Sequence, residues 1–359
     1  MKDRIYVCHT FYHVYVTMLK ELALPKEKQG KATLVLSKMS NNFEGMKARI
    51  DKTGYFEAVV EFDEKKDSFF PELAKYKEDK GNIVSNMLSR IRFTRKFAKL
   101  QEAYMPLDFK EYKDIYVYCD ADPIGTYLNQ KHIRYHALED GLNSVAHIDH
   151  AHFDNRSHFK MKAFFSKVLN LIFIQNGYGK YCIDMEVNDI SAIEIPCKYY
   201  VEVNRKALTD RLTREDKDLL LQIFIRDMDA LRRKMEEGKK YEKKVLILTE
   251  PLCTMDVREQ IFRDIIALYE KEAQVFIKPH PRDELDYATI FADYPQFEGS
   301  MPMEMLNFFD DLCFDKVIGV LTELKAVTFA KETVRLGPDF MDKYEDPAIH
   351  RQNERINNG

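Results

Sequence analysis

Short apolar runs and longer amphipathic stretches alternate along most of this chain. Residues 5–8 form the first run, followed by His9-Thr10-Phe11-Tyr12-His13 and a helical spacing of Val14, Met18 and Leu22 that ends near Pro25. Residues 32–37 and 58–62 predict the next two strands, with a helix over 41–52 between them. Further strands are predicted at 114–119 and 133–138, and residues 193–196 close the strand set of the first half. Residues 160–179 predict one apolar helix that stops at Asn176-Gly177-Tyr178-Gly179. The alternation restarts with a strand at 245–249, a helix over 257–271 and a strand at 275–278. It ends with strands at 316–320 and 332–336, Thr322 opening the helix between them. This is the pattern of doubly wound parallel α/β sheets.

With 359 residues the chain exceeds what one hydrophobic core organises, so two domains are expected. Residues 205–243 are strongly charged and helical, with Leu219, Leu220, Ile223 and Leu231 on one face. They read as a helical linker between a first domain, 1–204, and a second, 244–338, with a polar tail over 339–359.

Composition narrows the class of partner. Hydrophobic residues make up 45% and charged residues 32%, as in a soluble globular protein, and the formal net charge of -4 gives no basic field for a nucleic acid. Cys8, Cys119, Cys182, Cys197, Cys253 and Cys313 lack paired spacing and read as small buried residues of a reducing compartment, without disulfides. The opening Met-Lys-Asp-Arg runs straight into a strand, so a cytoplasmic protein without a signal peptide is expected. The longest apolar stretch, 163–174, is too short for a membrane span and holds Ser166, Lys167 and Asn170; it suits packing against a partner chain or another helix. In 89–99, Arg90, Arg92, Arg95, Lys96 and Lys99 alternate with Ile91, Phe93 and Phe97. That pattern fits a solvated helix face, and it also fits peripheral contact with anionic lipid or an anionic acceptor.

Three places carry candidate chemistry. His280 stands between Pro279 and Pro281 at the end of a predicted buried strand, beside Lys278, Arg282 and Asp283, so a stiff turn presents its imidazole where open α/β sheets bind ligands. Glu139-Asp140-Gly141 ends another strand, where a carboxylate can act as a base and glycine permits a tight turn. His147, His150, His152 and His158, with Asp149 and Asp154, match no zinc spacing and read as a polar loop. Asp120-Ala121-Asp122 has the spacing of a metal-binding acid pair but sits at the end of a first-domain strand.

Glu139-Asp140-Gly141, Lys278-Pro279-His280-Pro281, Pro302-Met303-Glu304 and Gly319-Val320-Leu321-Thr322, with the opening Cys8-His9-Thr10-Phe11-Tyr12-His13, together resemble the bacterial sialyltransferases of glycosyltransferase family 52. The resemblance spans most of the chain. It implies a GT-B fold, two Rossmann-like domains facing across a cleft, and metal-independent, inverting transfer from CMP-sialic acid to a galactose-ended glycan, with no cofactor beyond that donor. It implies Asp140 as general base with Glu139 beside it, either acid being admitted at both positions. His280 would be the acid on the CMP phosphate, Glu304 the ligand of the ribose hydroxyls and Thr322 a donor to the phosphate from a helix start. Lys278, Pro281, Gly319 and Thr249 would complete the donor side. A homodimer, paired through 163–174 or its neighbours, is also implied.

One departure stands out: Leu321 occupies a position where related enzymes often carry a second hydroxyl residue. It leaves room for another CMP- or CDP-linked donor. The competing expectations are a glycerophosphotransferase of GT-B fold and a non-catalytic GT-B-like subunit that binds a glycan or a partner enzyme.

Overall fold

The structure is a computed structural model that describes residues 1–39, 42–141, 145, 150–237, 241–309 and 312–350. The chain divides into two compact units, Met1–Asp216 and Lys217–Gly359.

The first unit is built on a parallel sheet of seven strands: β1 (Lys2–Cys8), β2 (Ala32–Ser37), β3 (Ala58–Phe62), β4 (Tyr112–Tyr118), β5 (Tyr135–Leu138), β6 (Cys182–Val187) and β7 (Tyr200–Glu202). Their order is β3-β2-β1-β4-β5-β6-β7. Ile5 therefore pairs with both Thr33 and Ile115, and the chain reverses direction across the sheet between β1 and β4. Ile5, Val7, Val35 and Val117 are fully buried, as expected for strands covered on both faces. The polar residues of β1 are answered from the following helix, Phe11–Leu22. Glu21 accepts from Arg4 Nε at 2.8 Å, Arg4 Nη2 at 2.9 Å and the Tyr6 hydroxyl at 2.8 Å, so a buried charge is paired at every oxygen.

The second unit carries a parallel sheet of β8 (Lys243–Leu248), β9 (Ala273–Lys278), β10 (Phe314–Gly319) and β11 (Ala330–Arg335), in the order β11-β10-β8-β9. Its core gathers Val245, Ile247, Val275, Ile277 and Ile318 with Ile261, Phe262 and Ile265 of the helix Met255–Ala267. Two parallel α/β sheets in one chain give the fold class expected from the sequence.

Several local expectations are corrected. The apolar helix predicted over 160–179 is only Phe159–Lys167; Asn170 and Asn176 take φ values of 52° and 57°, and Ile172 and Ile174 turn inward onto Ala151. Lys167 holds that turn by donating to the Gly177 and Cys182 carbonyls at 3.1 and 2.9 Å. Residues 193–196 form no strand. The sheet is extended instead by β6 and β7, whose Asp184, Glu186 and Glu202 obscured the strand pattern. The helix expected over 41–52 is Met46–Thr53, set off by Gly45 in the left-handed region at φ 65°. Residues 205–243 hold three helices, Arg205–Thr209, Arg214–Phe224 and Met228–Glu237. No helix follows Thr322, and the tail begins with the short helices Pro338–Met341 and Pro347–His350, residues 351–359 lying outside the described part. Among the described residues no cysteine forms a disulfide, and Cys8, Cys182 and Cys197 are buried. No described helix is long and apolar enough to cross a membrane.

One glycine tests this packing. A Cβ on Gly125 would lie 1.8 Å from the Asp120 carbonyl oxygen, whereas one on Gly81, at φ 76°, meets nothing within 4 Å. Gly125→Ala is expected to lower stability by about 3 kcal/mol or leave the protein insoluble, and Gly81→Ala by roughly 1 kcal/mol, read as urea midpoints.

Candidate active site

The first site lies where β1, β3, β4 and β5 end, at the reversal of strand order, which is where open α/β sheets leave a crevice. Thr10 caps the helix Phe11–Leu22, its hydroxyl accepting from His13 N at 3.2 Å, so His13 sits in the first turn over the end of β1. The His13 ring is fully buried and stacks on Tyr118 at 4.3 Å. Its Nδ1 accepts the His9 backbone N–H at 3.0 Å, and Nε2 lies 2.7 Å from Asp140 Oδ1. Burial lowers the His13 pKa, which keeps the ring neutral. With Nδ1 accepting, the proton is on Nε2 and is donated to the Asp140 carboxylate.

Asp140 is the one exposed acid of the Glu139-Asp140 pair, with 46% of its side chain open to solvent. Glu139 is fully buried and points to Arg205, whose Nη2 is 3.5 Å from Oε1. Burial raises the Glu139 pKa and Arg205 opposes it. Adjacent positions leaving a strand project to opposite sides, so the two acids occupy different surroundings. Gly141 follows at φ 146°, a conformation suited to glycine.

A second histidine, His9, carries no signal in the sequence beyond its motif. Its Nε2 is 2.5 Å from Glu64 Oε1 and 3.5 Å from Asp122 Oδ2. Burial works to lower the His9 pKa, but Glu64, Asp122 and Asp140 together raise it. Burial pushes Asp122 up to about 6. Glu64 also accepts from Ser37 Oγ at 2.7 Å and Ile124 N at 3.1 Å. Two groups, His9–Glu64–Asp122 and His9–His13–Cys119, bring three donor atoms within 4.8 Å of one another and could hold a metal ion. Both would have to break hydrogen bonds the histidines already make. Asp120 serves the fold, accepting from Tyr135 Oη at 3.2 Å and Asn176 N at 2.9 Å. In the histidine-rich stretch, His152 packs against Phe159 at 4.5 Å; His147, Asp149 and the His150 side chain lie outside the described residues.

The second unit presents His280 from a stapled turn. Its N–H donates to Thr249 Oγ1 at 3.0 Å, and its Nδ1 accepts from Arg282 N at 3.1 Å. Asp283 fixes the turn from below, bonded to Arg258 Nη1 at 2.5 Å and Tyr287 Oη at 2.8 Å. The neutral ring thus carries its proton on Nε2, and burial, with Arg282 and Lys278 nearby, pushes its pKa down to about 4. Lys278 is buried, its ammonium donating to the Pro279 and Gly299 carbonyls at 2.8 and 2.9 Å. Burial pushes it down to about 7 against Glu304 and Glu298, while burial raises Glu304. Pro281 is exposed on the same turn.

The end of β10 differs from expectation. Without a helix after Thr322, no helix dipole reaches an anion there. The N–H groups of Val320, Leu321 and Thr322 are taken by the Glu250 carboxylate, each at 2.9 Å to Oε1. Glu250 is buried, and Gly319 lies close beneath, its Cβ position 3.3 Å from Thr322 and 3.8 Å from Glu250. No spacing in the sequence signals this role; Glu250-Pro251 reads there as a strand exit.

A pH dependence follows from His280. Its pKa falls from 6.5 in the unfolded chain to about 4 in the folded one, so the unfolded state binds more protons between these values. Its stabilising share is fully present above about pH 6.5 and is lost as the pH falls toward 4. His280→Gln is expected to flatten the stability profile across that window in urea titrations; unchanged slopes would contradict the assignment.

Comparison with known proteins agrees with this architecture. An α/β-galactoside α-2,3-sialyltransferase from Photobacterium phosphoreum superposes with a TM-score of 0.52 at 12% identity, covering 92% of this chain and 89% of that one. A 2,6-sialyltransferase from Vibrionaceae Photobacterium sp. JT-ISH-224, in a ternary complex with donor product CMP and acceptor substrate lactose, gives 0.55 at 11% identity, covering 93% of this chain and 71% of that one. These likenesses establish a shared fold. An uncharacterized protein of Haemophilus influenzae is 28% identical over 137 residues, a match that spans 37% of this chain and 42% of that protein's length. The sequence profile of glycosyltransferase family 52 matches residues 59–315, most of the chain and both of its units. The chain therefore belongs to glycosyltransferase family 52.

Proposed function

We propose that the protein is an inverting sialyltransferase that moves sialic acid from CMP-sialic acid to a galactose-ended glycan of a cell-surface oligo- or polysaccharide, without a metal. The observation that carries this reading is the exposed Asp140 carboxylate, held by the neutral, buried His13 at the carboxyl edge of the first sheet. Family membership supports it, as does the fold shared with enzymes that transfer sialic acid. The protein works in the cytoplasm as a homodimer in this reading.

The chemistry asks for two opposite services. The acceptor hydroxyl must lose a proton as it attacks, and the departing CMP phosphate gains negative charge. Asp140 takes the proton, with His13 fixing its orientation. Glu139, buried against Arg205, is a structural neighbour and takes no proton. His280 offers Nε2–H to the phosphate. As a neutral ring in the free protein it begins as a hydrogen-bond donor, and growing phosphate charge raises its basicity as the bond breaks. Glu304 takes the ribose hydroxyls. The Thr322 hydroxyl still reaches for the phosphate, since only its N–H is spent on Glu250. Pro281 and Thr249 hold the His280 turn, Lys278 adds a buried positive field beneath it, and Gly319 gives the loop its close approach.

In the presence of EDTA the purified protein is expected to release CMP from CMP-sialic acid slowly, and faster with lactose. A strict requirement for Mg²⁺ or Mn²⁺ would overturn the metal-free mechanism. Asp140→Asn should lower kcat by roughly 10²- to 10⁴-fold with CMP affinity nearly unchanged; near wild-type turnover excludes Asp140 as the base. His280→Ala should lower kcat and weaken CMP binding together. In NMR titrations CMP should raise the His280 pKa from its value of about 4; no shift would separate His280 from the phosphate.

A further inference from the structure

The proposed reaction uses Asp140 and His13 but leaves three ionisable side chains at the same rim without a role. His9 follows β1, Glu64 follows β3, and Asp122 stands between β4 and the helix Pro123–Gln130, so three strand ends deliver them to one place. Their donor atoms lie within 4.8 Å of one another. His9 Nε2 is 2.5 Å from Glu64 Oε1 and 3.5 Å from Asp122 Oδ2. Of the Asp120-Ala121-Asp122 spacing only Asp122 takes part, because Asp120 turns into the fold toward Tyr135 and Asn176.

An imidazole with two carboxylates and no thiolate is a donor set for zinc. Two donors each about 2 Å from a tetrahedral zinc stand about 3.3 Å apart. The separation of His9 Nε2 from Asp122 Oδ2 is already close to that, and the separation from Glu64 Oε1 has to open by about 1 Å. The proton that His9 Nε2 gives to Glu64 lies between the atoms the metal would join. It leaves to solvent as zinc binds, and no other covalent bond changes.

The surroundings hold these ligands in place. The Glu64 carboxylate is fully buried and is oriented by Ser37 Oγ at 2.7 Å and Ile124 N at 3.1 Å. The His9 backbone N–H is bonded to His13 Nδ1 at 3.0 Å, which anchors the residue from its main chain. Asp122 has 27% of its side chain exposed, which gives an ion an entry path and leaves room for a water as fourth ligand. Two carboxylates set against one imidazole, with the field of Asp140 acting on both His9 and Asp122, gather negative charge that a divalent cation neutralises. The neighbouring group of His9, His13 and Cys119 suits a metal less. His13 would lose Asp140 or the His9 N–H, and burial keeps the Cys119 thiol protonated.

We propose that His9 Nε2, Glu64 Oε1 and Asp122 Oδ2 form a zinc site, and that the bound ion restrains the enzyme through its charge beside Asp140. Metal binding stands apart from the sialyl-transfer reading; the restraint rests on it. Positive charge at this place makes the Asp140 carboxylate a weaker proton acceptor, so the ion is an inhibitor and takes no part in the reaction.

The test is calorimetric titration of the untagged full chain, stripped of metal by a chelator, with zinc chloride. The wild-type chain should bind one zinc, and equimolar Mg²⁺ should not displace it. His9→Gln and Asp122→Asn should each weaken binding roughly 100-fold. Cys119→Ser, and His152→Gln combined with His158→Gln, should leave it unchanged. Circular dichroism melts check that each variant is folded, and cobalt in place of zinc should show four-coordinate visible absorption without a thiolate charge-transfer band. Zinc should suppress lactose-dependent CMP release with the midpoint of the binding curve, and Asp122→Asn should shift that midpoint by the same factor. Absence of saturable binding, binding that survives either ligand substitution, or a thiolate band overturns the site. Binding without inhibition overturns the restraint. A chain that releases no CMP in EDTA overturns the sialyl-transfer reading and leaves the titration to judge the site.

Discussion

The parallel pairing of β1 between β2 and β4 is the constraint on which the first unit depends. It brings the carboxyl ends of strands far apart in sequence to one rim, so that residues 9, 13, 64, 122 and 140 meet. Covered strands leave only that rim open to a ligand. The rim then needs internal order, because several ionisable groups crowd it. Order comes from the backbone: one N–H, from His9, occupies His13 Nδ1 and so decides which nitrogen of His13 faces Asp140. The Nε2–H aims the Asp140 carboxylate, whose other side remains open to solvent.

The second unit uses the same kind of rim with the opposite charge logic. At the reversal between β8 and β10, the backbone N–H groups that an anion would seek are taken by Glu250. The turn beside them instead carries His280, fixed through Thr249 and the Asp283–Arg258 pair, with a buried ammonium under it. A donor presented by a rigid turn costs little to organise when charge develops on a leaving group. Glu250 therefore fixes the loop beside the His280 turn, and in the proposed reaction the contact to the phosphate falls to side chains.

The strands were legible in the sequence wherever both faces are covered. Residues 32–37 coincide with β2, which is buried throughout, whereas 58–62 coincide with the edge strand β3, where Val59 and Phe62 are buried and Ala58 and Glu61 are exposed, so its short apolar run is enough to mark it. β6 and β7 carry no such pattern because Asp184, Glu186 and Glu202 break the apolar run, and two of those acids are answered only in three dimensions, Asp184 by His136 and Glu186 by Lys20. Residues 160–179 mimic one long helix for the converse reason: Ile172 and Ile174 are apolar because they fill the core, not because they continue a helix.

The sequence by itself determined the α/β class, the motif acids, the histidine between two prolines and the family, since these rest on residue type and short spacing. Tertiary structure decided which acid of the Glu139-Asp140 pair reaches solvent, because adjacent positions leaving a strand face opposite sides and only the packed Arg205 shows which side is buried. It also decided the partners of His9, His13 and Glu250, which lie 55, 127 and about 70 residues away. Local spacing carries no information about contacts that a sheet creates by bringing distant strand ends together.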